Sequence, residues 1–183
     1  MTDSFQSRID LEMTINGEAV ELTVPAGRHL IDVLRHDLGL TGSHVGCEHG
    51  VCGACTILVD DSTVRGCLTL AAQLQGCEVW TIEGLTEKGV IADLQKAFVE
   101  RNALQCGYCT PGMLASAKAL VEAEGVPSRE TIREHMSGNY CRCTGYEAIV
   151  DAIETVARQR ADETGARSRA GETVAKARAG ARS

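Results

Sequence analysis

Hydrophobic and polar residues alternate strictly at the start of the chain. Ile9, Leu11, Met13 and Ile15 fall on one face of an extended segment, and Val20, Leu22 and Val24 repeat the period of two. Asn16-Gly17 between these runs is a strong signal for a tight turn, so a β-hairpin is expected here. The period then lengthens. Leu30, Val33 or Leu34, and Leu38 recur at helical spacing within residues 28–38, and Gly39 is placed to close that helix. A glycine- and cysteine-rich loop runs from Gly42 to Ala54. Thr56-Ile57-Leu58-Val59 reads as a short buried strand with a turn at Asp60-Asp61-Ser62, and Glu78-Val79-Trp80-Thr81 reads as another strand. The first half is therefore expected to be a small mixed sheet packed on one helix.

Past Gly89 the pattern becomes helical. Residues 91–101, 111–124, 129–136 and 145–159 are rich in Ala, Leu, Glu and Lys. Thr110-Pro111 offers an N-cap followed by a first-turn proline, and Thr144-Gly145-Tyr146-Glu147 fits a capping box. An α+β chain of two domains is expected, 1–86 built on the sheet and 87–160 all-helical. Residues 161–183 hold almost no large apolar side chain and are expected to form a disordered tail, because so little buried surface cannot offset the entropy of ordering.

Composition sharpens the picture in three ways. Only 3% of the 183 residues are aromatic while nine are cysteines, so something other than aromatic burial must help hold the core. The net charge of −7 argues against a nucleic-acid partner. No apolar run reaches the length of a membrane span, and the N-terminus lacks a secretory pattern, so a cytoplasmic location is expected. Cysteines in such a reducing compartment point to metal or redox chemistry more than to disulfides.

Cys47, Cys52 and Cys55, followed by Cys67 after the next strand, have the C-x4-C-x2-C…C spacing of plant-type [2Fe–2S] ligands. Three thiolates supplied by one loop require tight backbone turns, which Gly42, Gly46, Gly50 and Gly53 allow. The second set, Cys106-Gly107-Tyr108-Cys109 with Cys141-Arg142-Cys143, suits either zinc or iron–sulfur. Each half precedes an expected helix N-terminus, whose free N–H groups and dipole favour an anionic cluster, and Arg142 adds positive charge between two ligands. His44 and His49 flank Cys47, but four cysteines already complete that set. Cys77 has no partner at ligand spacing and reads as a small apolar residue at a strand edge.

Three segments taken together resemble one family closely. They are Gly46-Cys47-Glu48-His49-Gly50-Val51-Cys52-Gly53-Ala54-Cys55-Thr56, Gln105-Cys106-Gly107-Tyr108-Cys109-Thr110-Pro111-Gly112-Met113, and Gly138-Asn139-Tyr140-Cys141-Arg142-Cys143-Thr144-Gly145-Tyr146. The chain is similar over residues 9–158 to the small iron–sulfur subunits of the molybdenum hydroxylases, the xanthine oxidase and carbon monoxide dehydrogenase family. The resemblance implies a β-grasp, plant-ferredoxin-like N-terminal domain and a four-helix-bundle C-terminal domain. It implies one [2Fe–2S] cluster on Cys47, Cys52, Cys55 and Cys67, and a second on Cys106, Cys109, Cys141 and Cys143. Gln105 and Cys143 would approach the pterin of a molybdopterin-type molybdenum cofactor. That cofactor belongs to a large partner subunit, and FAD to a medium one.

By the same resemblance the chain is a non-catalytic relay in a molybdenum-dependent oxidoreductase, assembled as a dimer of heterotrimers. Electrons would leave molybdenum through the pterin, cross both clusters and reach FAD or another acceptor. A free-standing ferredoxin-like carrier is the alternative. A second cluster in a separate helical domain speaks against it, and zinc at the second set would make a third reading. Substrates from N-heteroaromatics and purines to aldehydes, acyl-CoA esters and carbon monoxide all occur in the family, with N-heteroaromatics favoured by frequency alone.

Overall fold

The computed structural model describes residues 7–180, with side-chain surroundings through residue 166. Strands β1 (Arg8–Ile15) and β2 (Glu18–Pro25) form the hairpin expected around Asn16-Gly17. Asn16 and Gly17 have φ of 56° and 88°, the two left-handed residues that let a two-residue loop match the strand twist. Helix α1 is short, Leu30–Asp32, and widens into a π-helical turn over Val33–Asp37. Strands β3 (Thr56–Val59), β4 (Ser62–Arg65) and β5 (Glu78–Trp80) complete a five-stranded sheet in the order β2-β1-β5-β3-β4. β5 runs parallel to β1, and every other adjacent pair is antiparallel.

Helices follow the sheet: α2 (Ile82–Glu87), α3 (Ala92–Glu100), α4 (Thr110–Glu124), α5 (Arg129–Met136) and α6 (Glu147–Gly180). The sheet half packs Leu11, Met13, Ile15, Ile57, Val59 and Val79 against Leu30, Ile31, Val33 and Leu34. The helical half packs around Phe98, Met113, Leu120, Ile132, Met136 and Ile153. Leu58 points away from its neighbours Ile57 and Val59 and joins the helical core. All four residues of β3 are therefore buried, which is why this strand reads as an uninterrupted run and not as an alternation. Burying each such side chain contributes roughly 1.5–3 kcal/mol.

Several expectations need correction. Asp60 and Asp61 have φ of 45° and 62° and make a second tight hairpin turn, so a returning strand, β4, follows where only a turn was expected. Asp and Asn tolerate this conformation because their short polar side chains bond locally. Thr144 does not cap α6. Its hydroxyl accepts from Tyr146 N–H at 3.3 Å and lies 3.2 Å from Cys141 Sγ, and the helix starts only at Glu147, after Gly145 and Tyr146 have taken φ of 68° and 69°. At α4 the N-cap position belongs to Cys109, with Thr110 already helical. Helix α6 is assigned as far as Gly180, and so enters the stretch from residue 161 that was expected as a tail. Ala, Arg and Glu are good helix formers, and extending an anchored helix is far less costly than nucleating one. Residues 181–183 of that expectation lie outside the described residues.

Charged side chains tie the helices together. Arg129 of α5 reaches Glu147, Asp151 and Glu154 of α6, the latter two at 2.6 Å. Arg160 of α6 forms a fork on Asp93 of α3 at 2.6 and 2.7 Å. The two halves meet along a polar seam. Asn139 is 2% exposed, and its amide donates to Gly53 O at 3.0 Å and Thr56 Oγ1 at 3.2 Å while its carbonyl oxygen accepts from Ser116. A second network binds the turn of the first hairpin to the start of the cysteine loop. Asn16 pairs with Thr81, Thr81 donates to Glu83, and Glu83 accepts from Gly42 N–H at 2.7 Å.

Candidate functional site

The eight cysteines of the two motifs come together as two groups. The first loop is shaped by left-handed residues at Glu48, Gly50 and Gly53, which turn Cys47, Cys52 and Cys55 inward. Cys67 approaches from the far end of β4. Gly46 is required for space, since a Cβ there would lie 2.9 Å from Cys52 Sγ. Gly53 is required twice over, with φ of 71° and a Cβ position 2.4 Å from Gly138 O across the seam.

Among the described residues no three His, Cys, Asp or Glu side chains meet at one point; the thiols meet in pairs. Cys106 and Cys143 bring their sulfurs to 3.5 Å, well beyond a disulfide bond of about 2.05 Å. Cys109 and Cys141, Cys55 and Cys67, and Cys47 and Cys52 lie near enough to act on one another's acidity, and Cys52 N–H donates to Cys47 Sγ at 3.5 Å. A [2Fe–2S] cluster asks for two thiolates on each iron, with sulfides filling the remaining positions. A single tetrahedral zinc would draw all four sulfurs to one centre. The donor set thus fits two irons per group, and the inner pairs, Cys55 with Cys67 and Cys109 with Cys141, are the more buried.

The surroundings divide the thiols by acidity. Backbone N–H groups of Cys52 and His49 aimed at Cys47 bring its pKa down to about 6, favouring the thiolate that metals bind. Burial pushes Cys55 up to about 11 and Cys109 up to about 12, with each paired thiol adding to the rise. Burial also works to raise Cys141, but the Thr144 hydroxyl and the N–H groups of Thr144 and Cys143 outweigh it and leave the thiol below its ordinary value. A metal that displaces these protons converts the unfavourable burial of the high-pKa thiols into ligation.

The two groups are neighbours. One cavity of about 210 Å³ is lined by Cys106, Cys109, Cys141 and Cys143 and also by Cys52 and Gly46 of the first loop. Tyr140 N–H donates to Cys52 O at 2.8 Å, joining the two loops through the backbone. Tyr108 closes the outer side. Its ring stacks on His44 with centroids 4.6 Å apart, and its hydroxyl donates to Val45 O.

The histidines are engaged elsewhere. His44 Nδ1 lies 2.8 Å from Tyr108 O, and His49 Nδ1 turns to Cys47 O. Gln105 is exposed and donates from Nε2 to Cys143 O at 3.0 Å, so the two residues expected at a cofactor edge share one surface. Arg142 is exposed beside them on the cavity rim. Cys77 packs on the sheet core, with Asp60 beside it. Sequence reasoning did not single out Asn139, Arg65 or Tyr140, because their roles are contacts between segments far apart in the chain.

Comparison with known proteins agrees with this geometry. A 2Fe-2S iron-sulfur cluster binding domain family matches residues 13–79, and a [2Fe-2S] binding domain family matches residues 81–154. The chain is 50% identical over 152 residues to the nicotine 6-hydroxylase small subunit of Paenarthrobacter nicotinovorans, covering 83% of this chain and 92% of that one. It is 48% identical to the caffeine dehydrogenase subunit gamma of Pseudomonas sp. (strain CBB1), covering 80% and 90%. The solved structure of quinoline 2-oxidoreductase from Pseudomonas putida 86 superposes with a TM-score of 0.80 at 49% identity, over 86% of this chain and 98% of that one. With both domain types matched end to end and full-length relatives at half identity, the chain belongs to the [2Fe-2S] small subunits of the molybdenum hydroxylases.

Proposed function

We propose that this chain is the electron relay of its oxidoreductase complex. Cys47, Cys52, Cys55 and Cys67 hold one [2Fe–2S] cluster, and Cys106, Cys109, Cys141 and Cys143 hold another. The observation that carries the reading is the shared cavity, which Cys52 of the first group lines together with all four cysteines of the second. Two clusters supply two one-electron stations, and transfer between them needs short separation and exclusion of water more than any group that makes or breaks bonds. The chain's own residues supply these conditions: Asn139 and Tyr140 fix the separation, and Tyr108 stacked on His44 covers the outer face.

The exposed surface formed by Gln105 and Cys143 is where a molybdopterin-type cofactor of the large subunit docks, and the first loop faces FAD of a medium subunit. Within this reading residues 1–86 form a β-grasp domain, 87–160 a four-helix bundle, and 161–183 an appended tail. The assembly is a dimer of heterotrimers in the cytoplasm. Among the described residues no helix is long and apolar enough to cross a membrane. The relatives named for nicotine, caffeine and quinoline support an N-heteroaromatic substrate for the holoenzyme.

The test is electron paramagnetic resonance of the dithionite-reduced protein, with iron, zinc and molybdenum counted in the same sample. Two distinct [2Fe–2S] signals with about four irons per chain are expected, and molybdenum in the co-purifying complex. One signal with zinc at the second site would overturn the relay.

A further inference from the structure

Arg65 stands at the seam between the two thiol groups. It is the last residue of β4, two positions before Cys67, and it is half-buried. One arm of its guanidinium donates to the hydroxyl of Thr56, the residue after Cys55. The other donates at 2.5 Å to Gly138 O, three positions before Cys141. The same hydroxyl of Thr56 donates to Gly53 O at 2.6 Å and accepts from Asn139, so the guanidinium is held at one point by several elements. Among the described residues no carboxylate lies within ion-pairing distance of it. Arginine keeps its proton under all ordinary conditions, so this is a fixed and unneutralised positive charge.

The other cations near the thiols are placed differently. Arg35 donates to Thr41 O and Ser43 O at the entry of the loop, before the first cysteine. Arg142 is exposed, where water and salt screen it. Among the described residues, Arg65 is the cation that combines partial burial, a place two positions from Cys67 and a hydrogen bond to the residue after Cys55.

We infer that Arg65 sets the direction of transfer between the two sites, its charge favouring the reduced state of the Cys47–Cys52–Cys55–Cys67 site over that of the other. The step moves one electron: one site is oxidised by one electron, the other is reduced by one, and no proton moves and no bond changes. Reduction adds negative charge to a site that is already anionic, and a fixed positive charge in a partly water-excluded position offsets it. The inference rests on the two-cluster reading above.

The experiment is a redox titration of the purified complex, following each reduced signal by electron paramagnetic resonance. Arg65→Gln should lower the reduced-to-oxidised ratio of the first site about tenfold at a fixed potential, which is about 59 mV for one electron. The second signal should move by less than a third as much. Arg65→Lys keeps the charge but loses the fork, and should stay within about twofold of wild type. Thr63→Glu supplies an independent arm. Residue 63 is exposed, on the same face of β4 as Arg65, and its side chain makes none of the seam hydrogen bonds described above. It should lower the same ratio about threefold, and less at salt on the order of 1 M.

An unchanged first-site potential in Arg65→Gln overturns the inference, as does an equal fall in Arg65→Lys. If Arg65→Gln fails to retain iron, an unmoved potential in Thr63→Glu overturns it. A wild-type complex with one signal would instead sink the two-cluster reading, so the two failures are distinguishable.

Discussion

The backbone N–H of Tyr140 donates to the carbonyl oxygen of Cys52 at 2.8 Å, although 88 positions separate the two residues. This one bond connects a residue next to Cys141 with a residue of the first loop. The Tyr140 side chain itself is 55% exposed. Removing the donor and removing the side-chain hydroxyl should therefore have different effects. Tyr140→Pro deletes the N–H and leaves a carbonyl without its partner, which costs about 1–3 kcal/mol and slows transfer between the sites. Tyr140→Phe should leave both unchanged. Urea unfolding and flash-reduction kinetics of the two variants check this, and equal behaviour would show that the backbone bond does not matter.

Asn139 is the buried polar residue on which the seam depends. Its amide and carbonyl satisfy Gly53 O, Thr56 Oγ1 and Ser116 Oγ, and its backbone carbonyl accepts from Tyr146 Oη at 3.1 Å. Asn139→Leu fills the space but strands the partners, and a stranded buried group costs about 1–3 kcal/mol. The iron-loaded protein should melt roughly 5–10 °C lower, by the scaling for chains of this size. Ser116→Ala, which loses one of these bonds, should cost less than half as much.

Close approach of backbone to backbone gives a sharper test. A Cβ on Gly112 of α4 would lie 2.3 Å from Gly53 O, with no flexible side chain to yield. Gly112→Ala should therefore push α4 away from the first loop, despite the higher helix propensity of alanine. Loss of iron from the isolated protein is expected, together with a destabilisation of about 2–3 kcal/mol of the kind overpacking produces. Gly27→Ala has open space around it and should be neutral. Iron content and thermal melting of both variants, made side by side, decide the matter.

Those contacts also mark how much of the molecule was legible in the sequence. The alternation of Leu11, Met13 and Ile15 around Asn16-Gly17 fixes the hairpin and its register, because a slip of one residue would expose all three. The cysteine spacings announce the metal chemistry for a similar reason: ligands supplied by one loop leave their geometry in the local sequence. Strand β4 was not legible, because Ser62, Thr63, Val64 and Arg65 form an edge strand with no buried face to impose a period. The pairing of thiols within each group depends on tertiary placement, and the bridging by Arg65 and Asn139 joins segments 73 and 86 residues apart. Thr144 shows the opposite failure. A sound local capping signal was overridden because its hydroxyl serves Cys141 instead.

The cysteines themselves separate by role. Cys109→Ser should abolish one of two iron–sulfur signals and leave the other, since the first group shares no ligand with the second. Cys77→Ser should keep both, because Cys77 packs on the sheet core beside Asp60 and pairs with none of the eight thiols. The spectra of the reduced variants test this directly. Two surviving signals in Cys109→Ser would remove that residue from the ligand set.

Acid should loosen the clamp between α3 and α6. Burial alone would raise the pKa of Asp93, but the Arg160 fork and the Leu94 N–H outweigh it and hold the carboxyl below its ordinary value. A depressed folded-state pKa means that the stabilisation is fully present above the unfolded value of about 3.9 and is lost as pH falls through the lower folded value. The Asp93 side chain is 40% exposed, so the pair is worth about 0.5–1 kcal/mol and no more. Asp93→Asn should accordingly lower the urea midpoint at pH 7, and the gap from wild type should narrow in acid, as the pH falls below the unfolded value of about 3.9. A gap that persists undiminished in acid would mean the asparagine harms packing or the Val90 contact of Arg160, and that the charge contributes little.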